Sequence, residues 1–157
     1  MQVEQKLTKL GLSLPPPAEP AFQYVPVTIH AGICYVSGQL PRENGQVRIA
    51  GKVGDNVDIQ AAQSAARLCI LQGLSCIKAA IGDLDKIERF LKLTGFVASA
   101  AGFNQQPVVM DAASSLLVEL FGERGRHARS AVGVFELPRN APVEIEMIIA
   151  IRASGGT

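Results

Sequence analysis

The sequence predicts an α+β fold: one mixed sheet of about six strands with two helices packed on one face. Three observations predict it. Two long stretches repeat apolar residues at steps of three and four, the period of an amphipathic helix. Short apolar runs bounded by Gly, Pro or Asn-Gly surround them and read as strands. The resulting order, β-β-β-α-β-α-β-β, lacks the sustained β-α alternation of a doubly wound parallel sheet, so helices gathered on one face are the natural packing.

Residues 3–12 place Val3, Leu7 and Leu10 at helical spacing, and Gly11 ends the run. Leu14-Pro15-Pro16-Pro17 follows as a stiff extended connector. Residues 1–21 therefore read as an N-terminal helix and Pro-rich connector ahead of a domain spanning 22–152. Residues 22–27 are the first expected strand, with a turn within 28–32, and Ile33-Cys34-Tyr35-Val36 is the second. Residues 47–50, after the hairpin-type Asn44-Gly45, are the third. The stripe Ile59, Ala62, Ala66, Cys69, Ile70, Leu74 and Ile77 marks a long helix, with Asp55 or Asn56 to cap its start and Gly82 to close it. Ala and Gly on its inner face let it lie close to a sheet. Residues 87–98 read as strand, 108–121 as the second helix, and 129–135 and 143–151 as the last strands. Ile148, Ile149 and Ile151 make both faces of the last strand apolar, which points to a second sheet face covered by another subunit.

The 157 residues suffice for one domain with a real core, and 48% hydrophobic against 18% charged residues exclude disorder. No stretch reaches the roughly 18 uncharged apolar residues of a membrane span, and the charged start MQVEQKLTKLGL lacks a secretory h-region. A net charge of +1, 5% aromatic residues and no Trp argue against a nucleic-acid partner. Cys34, Cys69 and Cys76 match no zinc spacing. They read as buried reduced thiols, which suits the cytoplasm.

No P-loop, GxGxxG or GxSxG motif is present. Candidate chemistry rests on polar residues placed among core positions. Arg129 opens a strand whose same-face residues, Ala131 and Gly133, are small. Its fork suits a carboxylate or phosphate, and a structural ion pair at a strand end is the alternative. Glu144 and Glu146 alternate with apolar neighbours and share one face, where they could handle a proton or simply meet solvent. Tyr24 could orient a ligand oxygen or pack.

Three stretches resemble the Rid/YjgF-like family (reactive intermediate deaminases, also labelled endoribonuclease L-PSP). They are Tyr35-Val36-Ser37-Gly38-Gln39-Leu40-Pro41; Ala128-Arg129-Ser130 followed by Leu137-Pro138; and Val143-Glu144-Ile145-Glu146. The run 122–133 is similar to a longer-chain branch of the family. The resemblance covers residues 22–152 and implies a chorismate-mutase-like fold assembled as a homotrimer with clefts between subunits. It implies that Arg129 binds a substrate carboxylate, that Glu144 places the hydrolytic water, and that Tyr24, Gly38 and Ser130 line the cleft. Where members commonly carry an Asn, the nearest matching position here is Ser114. His127 lies outside the general pattern and is either an extra acid/base or a loop residue, and Glu146 is a second candidate carboxylate.

The implied reaction is hydrolysis of a 2-imino acid or its enamine tautomer to a 2-keto acid and ammonia. It needs no metal or organic cofactor, because a protonated imine is already electrophilic. The partners expected are a small carboxylate-bearing metabolite and further copies of the chain. A non-catalytic carboxylate-binding or sensor protein is the alternative. A ribonuclease draws only on Arg124, Arg126 and Arg129.

Overall fold

The computed structural model describes residues 2–153. In chain order the elements are α1 (Gln2–Lys9), β1 (Val27–His30), β2 (Ile33–Gln39), β3 (Arg42–Glu43), β4 (Gln46–Val47), α2 (Ile59–Ile81), β5 (Ile87–Ala98), α3 (Gln106–Phe121), β6 (Ala128–Val134) and β7 (Val143–Ile151). The main sheet has five strands in the order β1-β2-β7-β5-β6, and β3 and β4 form a separate two-stranded hairpin. Its pairings are antiparallel except β5 with β6, which run parallel because α3 carries the chain back between them.

Three expected elements land differently. The first strand is Val27–His30, and Ala31-Gly32, both at positive φ, turn it back onto β2. The apolar run 22–26 makes no ladder. Phe22 is fully exposed and Tyr24 is 59% exposed, so these residues carry strand composition without a strand partner. The Asn44-Gly45 turn forms as expected, both residues at positive φ, but it closes the short β3–β4 hairpin, and residues 48–50 lie outside any strand. The main sheet accordingly holds five strands where about six were expected. Asp58, two residues beyond the expected cap, caps α2 by accepting from Ala61 N at 2.7 Å, while Asn56 Oδ1 accepts from Lys52 N. Gly82, at φ 84°, closes α2 as expected.

The core lies between the sheet and the helices. Ile70, Leu74, Ile77, Leu116, Leu117 and Leu120 from α2 and α3 are buried together with Leu93, Ile145 and Ile149 from the sheet. Truncating one of these leucines to Ala would cost about 2–5 kcal/mol. The small residues of α2 permit its close approach, since a Cβ at Gly73 would collide with Met147 Cε on β7. α2 is long and apolar enough to span a bilayer by length and composition, yet 61% of its most apolar window is buried inside the domain, as befits a core helix. Val3 and Leu7 of α1 belong to the same core cluster. The connector is fastened too: Gln72 Nε2 donates to Pro16 O at 2.9 Å, Ser75 Oγ donates to Pro15 O, and Lys78 pairs with Glu4.

The other face of the sheet has no helix. There Tyr35, Ile148 and Val132 alternate with Glu146, Thr94 and Ser130, and Tyr35 and Val132 remain largely exposed.

Candidate functional site

The sequence-derived site residues fall into two separate groups in one chain. The first lies at the β6 edge, on the helix side. Arg129 Nη1 donates to Asp111 Oδ1 at 3.0 Å and to Ser114 Oγ at 3.1 Å, both on α3. Arg129 is the second residue of β6, on the same face as Ala131 and Gly133. A Cβ at Gly133 would press against Gln106 and Ser99, so small residues are what leave space along this strand. The ion pair anticipated as an alternative role for Arg129 is therefore present. Asp111 is 61% exposed, however, and such a pair contributes only about 0–1 kcal/mol. A ligand carboxylate can take its place at little cost.

Ser114 and His127 complete this group. His127 Nδ1 lies 2.6 Å from Gly125 O, so Nδ1 carries the proton and donates to that carbonyl. Nε2 is then an acceptor, and Ser114 Oγ–H donates to it across 2.9 Å. The Ser114 lone pairs consequently face the Arg129 guanidinium. Burial, aided by the Arg129 charge and opposed by the Gly125 contact, holds the His127 imidazole below its ordinary 6.5 and neutral at pH 7. Gly125 lies tight against the α3 backbone at Leu117, which fixes the carbonyl that orients His127.

The second group lies across the sheet around Glu144 on β7. Glu144, Tyr24 and Gly38 line one cleft of about 300 Å³. Two features make it. β2 gains an extra residue against β7 between Val36 and Gln39, a bulge that displaces Ser37-Gly38 from the ladder. Gly38 then allows the Glu144 carboxylate to lie over the backbone: a Cβ there would sit 2.6 Å from Glu144 Oε1. Ser37 donates through both N and Oγ to Pro26 O and so ties down the segment carrying Tyr24. Burial, and then the like charge of Glu146, raise the Glu144 carboxyl above its ordinary range.

Glu146 and Ser130 stand elsewhere. Glu146 lines a neighbouring depression with Tyr35, Lys92 and Thr94. Ser130 points away from Arg129, to the open face, where Lys92 Nζ donates to it at 2.9 Å. Asp111, Arg42 and Arg139 were missed by sequence reasoning. Asp111 sits three residues before Ser114 on the same helix face, a spacing that could have shown it, whereas Arg42 and Arg139 join the Glu144 cleft from a hairpin and a turn. The three cysteines are buried, and burial pushes Cys34 up to about 11 and raises Cys69 and Cys76 as well. None of these thiols is a nucleophile at neutral pH.

A five-stranded mixed sheet with α2 and α3 on one face, a Ser-Gly-Gln bulge and a strand-borne Arg and Glu define a chorismate-mutase-like α+β protein. The chain belongs to the YjgF/chorismate mutase-like endoribonuclease family, whose model matches residues 4–149. It is 41% identical over 151 residues to Protein TCP17 of Trypanosoma cruzi, covering 96% of this chain and 94% of that protein. Its structure aligns with that of Atu1372 from Agrobacterium tumefaciens, a protein of unknown function, at TM-score 0.91 and 48% identity over 97% of this chain and 94% of the other. It also shares its fold with E. coli TdcF, whose crystal structure holds bound serine, at TM-score 0.62 and 24% identity over 88% of this chain and 93% of that one.

Proposed function

We propose that the chain hydrolyses a reactive 2-imino acid, or its enamine tautomer, to a 2-keto acid and ammonia in a cleft between subunits of a homotrimer. The observation that carries this reading is the division of the site. Arg129 projects to the helix side of the edge strand β6, and Glu144 to the opposite side of β7, so each is half of a site within one chain. A neighbouring subunit placing its Arg129 group against the Glu144 cleft would complete both halves. The apolar residues left on the open sheet face supply surface for such an assembly.

In this cleft Arg129 holds the substrate carboxylate through two parallel N–H donors. Glu144 accepts a proton from water as the water oxygen bonds to C2 of the protonated imine. The same proton, returned to nitrogen, lets the C–N bond break and ammonia leave, while Glu144, ionised again, takes the remaining hydroxyl proton as the C=O bond forms and then passes it to solvent. The raised Glu144 carboxyl suits both roles, since a base whose pKa approaches the working pH also gives its proton back. Ser114, held as an acceptor by His127, orients the Arg129 guanidinium. The buried, unreactive thiols are consistent with work in a reducing cytoplasm.

The test is turnover. A 2-imino acid generated in situ by an amino-acid oxidase is trapped by semicarbazide with and without the protein. Wild type should outcompete the trap and R129A should not. Equal trapping with wild type and with no protein would sink the deaminase and leave carboxylate binding without turnover as the reading.

A further inference from the structure

The Glu144 cleft holds two cations that the proposed reaction does not use. Arg42 opens β3 directly after Pro41, and Arg139 sits in the turn before β7; both line the cleft beside Gly38 and Glu144. Neither makes an ion pair among the described residues, where the pairs are Lys52–Glu136, Lys78–Glu4, Arg126–Glu123 and Arg129–Asp111. Arg42 Nε is buried with no hydrogen-bond partner, the sole such side-chain atom among the described residues. A buried guanidinium N–H without an acceptor is costly and calls for an explanation.

The backbone points the same way. Arg139 and Asn140 are consecutive non-glycine residues in the left-handed region, at φ 57° and 55°. A residue with a Cβ is disfavoured there, Arg more than Asn, so the turn must be held by its surroundings. It is held by Asn140 N donating to Leu137 O, Ala141 N donating to Pro138 O and Gly51 N donating to Asn140 O. On the other side, the Asn44-Gly45 turn fixes the hairpin that carries Arg42. Two rigid devices thus aim arginines into one cleft.

The remaining polar lining leaves them available. Gln39 is committed to Ser37 O through Nε2 and to Cys76 through Oε1. Glu144 and Glu19 also line the cleft, but neither pairs with an arginine. The Glu144 carboxyl is held up rather than down, so no guanidinium neutralises it. No ion pair among the described residues therefore joins the carboxylates of this cleft to its arginines.

We infer that Arg42 and Arg139 bind a second anionic group on the substrate, so that the preferred substrate is a 2-imino acid with an acidic side chain. This rests on the proposed reading for the placement of the first carboxylate at Arg129. With that carboxylate on Arg129 of one subunit and the iminium nitrogen near Glu144 of the next, the side chain runs toward Arg42 and Arg139. A bidentate fork is the geometry that recognises a carboxylate there.

The experiment compares 2-oxoglutarate with 2-oxopentanoate by calorimetry, and the corresponding imino acids by semicarbazide competition, in wild type, R42A, R42K, R139A and R129A. Melting temperatures verify that each variant folds. Wild type should favour the dianion by roughly tenfold or more, the scale of one charged hydrogen bond. R42A and R139A should erase most of that preference while weakening the monoanion far less, R42K should restore part of it, and R129A should weaken both ligands. Equal affinity of wild type for the two ligands, or equal losses for both in R42A, would overturn the inference. A dianion preference that depends on Arg42, found without turnover of any imino acid, would keep the second anion site and refute the deaminase reading instead.

Discussion

The Arg129 group and the Glu144 cleft lie in one domain, yet their chemistry is opposite in state. Around Arg129 every polar group has a partner: guanidinium to Asp111 and Ser114, Ser114 to His127, His127 to a backbone carbonyl. Around Glu144 the carboxylate and two arginines have no ion-pair partner among the described residues. Each half therefore needs something different from a ligand. The first is assembled before any ligand arrives and has to exchange only an exposed Asp. The second is charged and open, with Arg42 Nε buried and unpartnered, and gains from a group that brings complementary charge.

The contrast is tested most forcefully at Arg129. R129A should lower kcat/KM for imine hydrolysis by roughly a thousandfold, since a bidentate charged contact is lost, with little change in Tm because its ion-pair partner Asp111 is exposed. A loss of fold, seen by circular dichroism, would show the group to be structural instead. E144Q should cost roughly a hundredfold or more in kcat, the usual worth of a general base. It should also stabilise the protein above the ordinary carboxylate range. A raised acid binds more protons folded than unfolded, so stability falls as pH rises from that range through the folded pKa, and Gln removes this fall. Thermal scans at acid and alkaline pH would show the gain only at the latter.

G38A probes the open half at the next level. Its Cβ would push Glu144 Oε1 aside, and activity should drop about tenfold with the fold retained, because the obstructed atom ends a flexible side chain. At His127 the sign differs from Glu144. Its lowered pKa means the unfolded state binds the proton more readily, so stability declines as pH falls below 6.5, and H127Q should flatten that decline in acid melts. The smallest effect expected is in E146Q. Losing a like charge lets the Glu144 pKa fall, so the acid limb of the pH–rate profile should move to lower pH with kcat at its plateau unchanged.

Most of the frame was legible because periodicity reports burial. α2, β5 and β7 appear within the expected residues, and their apolar stripes are the buried ones. The start of the domain was not legible, because Phe22, Tyr24 and Val25 have the composition of a strand while lying on the surface. Alternation cannot tell a laddered strand from an extended segment that lies on the surface. At the candidate site, Arg129, Glu144 and Gly38 were singled out through residue type and the family pattern. Their separation onto opposite sides of the sheet depends on pairing between β5, β6 and β7, which no local pattern encodes. Arg42 and Arg139 escaped for a related reason: their value lies in convergence, and 97 positions separate them.

The fastening of α1 has a consequence for synthesis. Gln2 N and Val3 N donate to Asp85, and Glu4 meets Lys78. These partners leave the ribosome some eighty residues after α1 does. At about 5–20 residues per second, the nascent helix waits roughly 4–16 seconds with Val3 and Leu7 uncovered. An eight-residue helix is too short to persist alone in water. α1 thus settles only after these later-made partners appear, and folding closes from the α2–β5 turn back onto this helix.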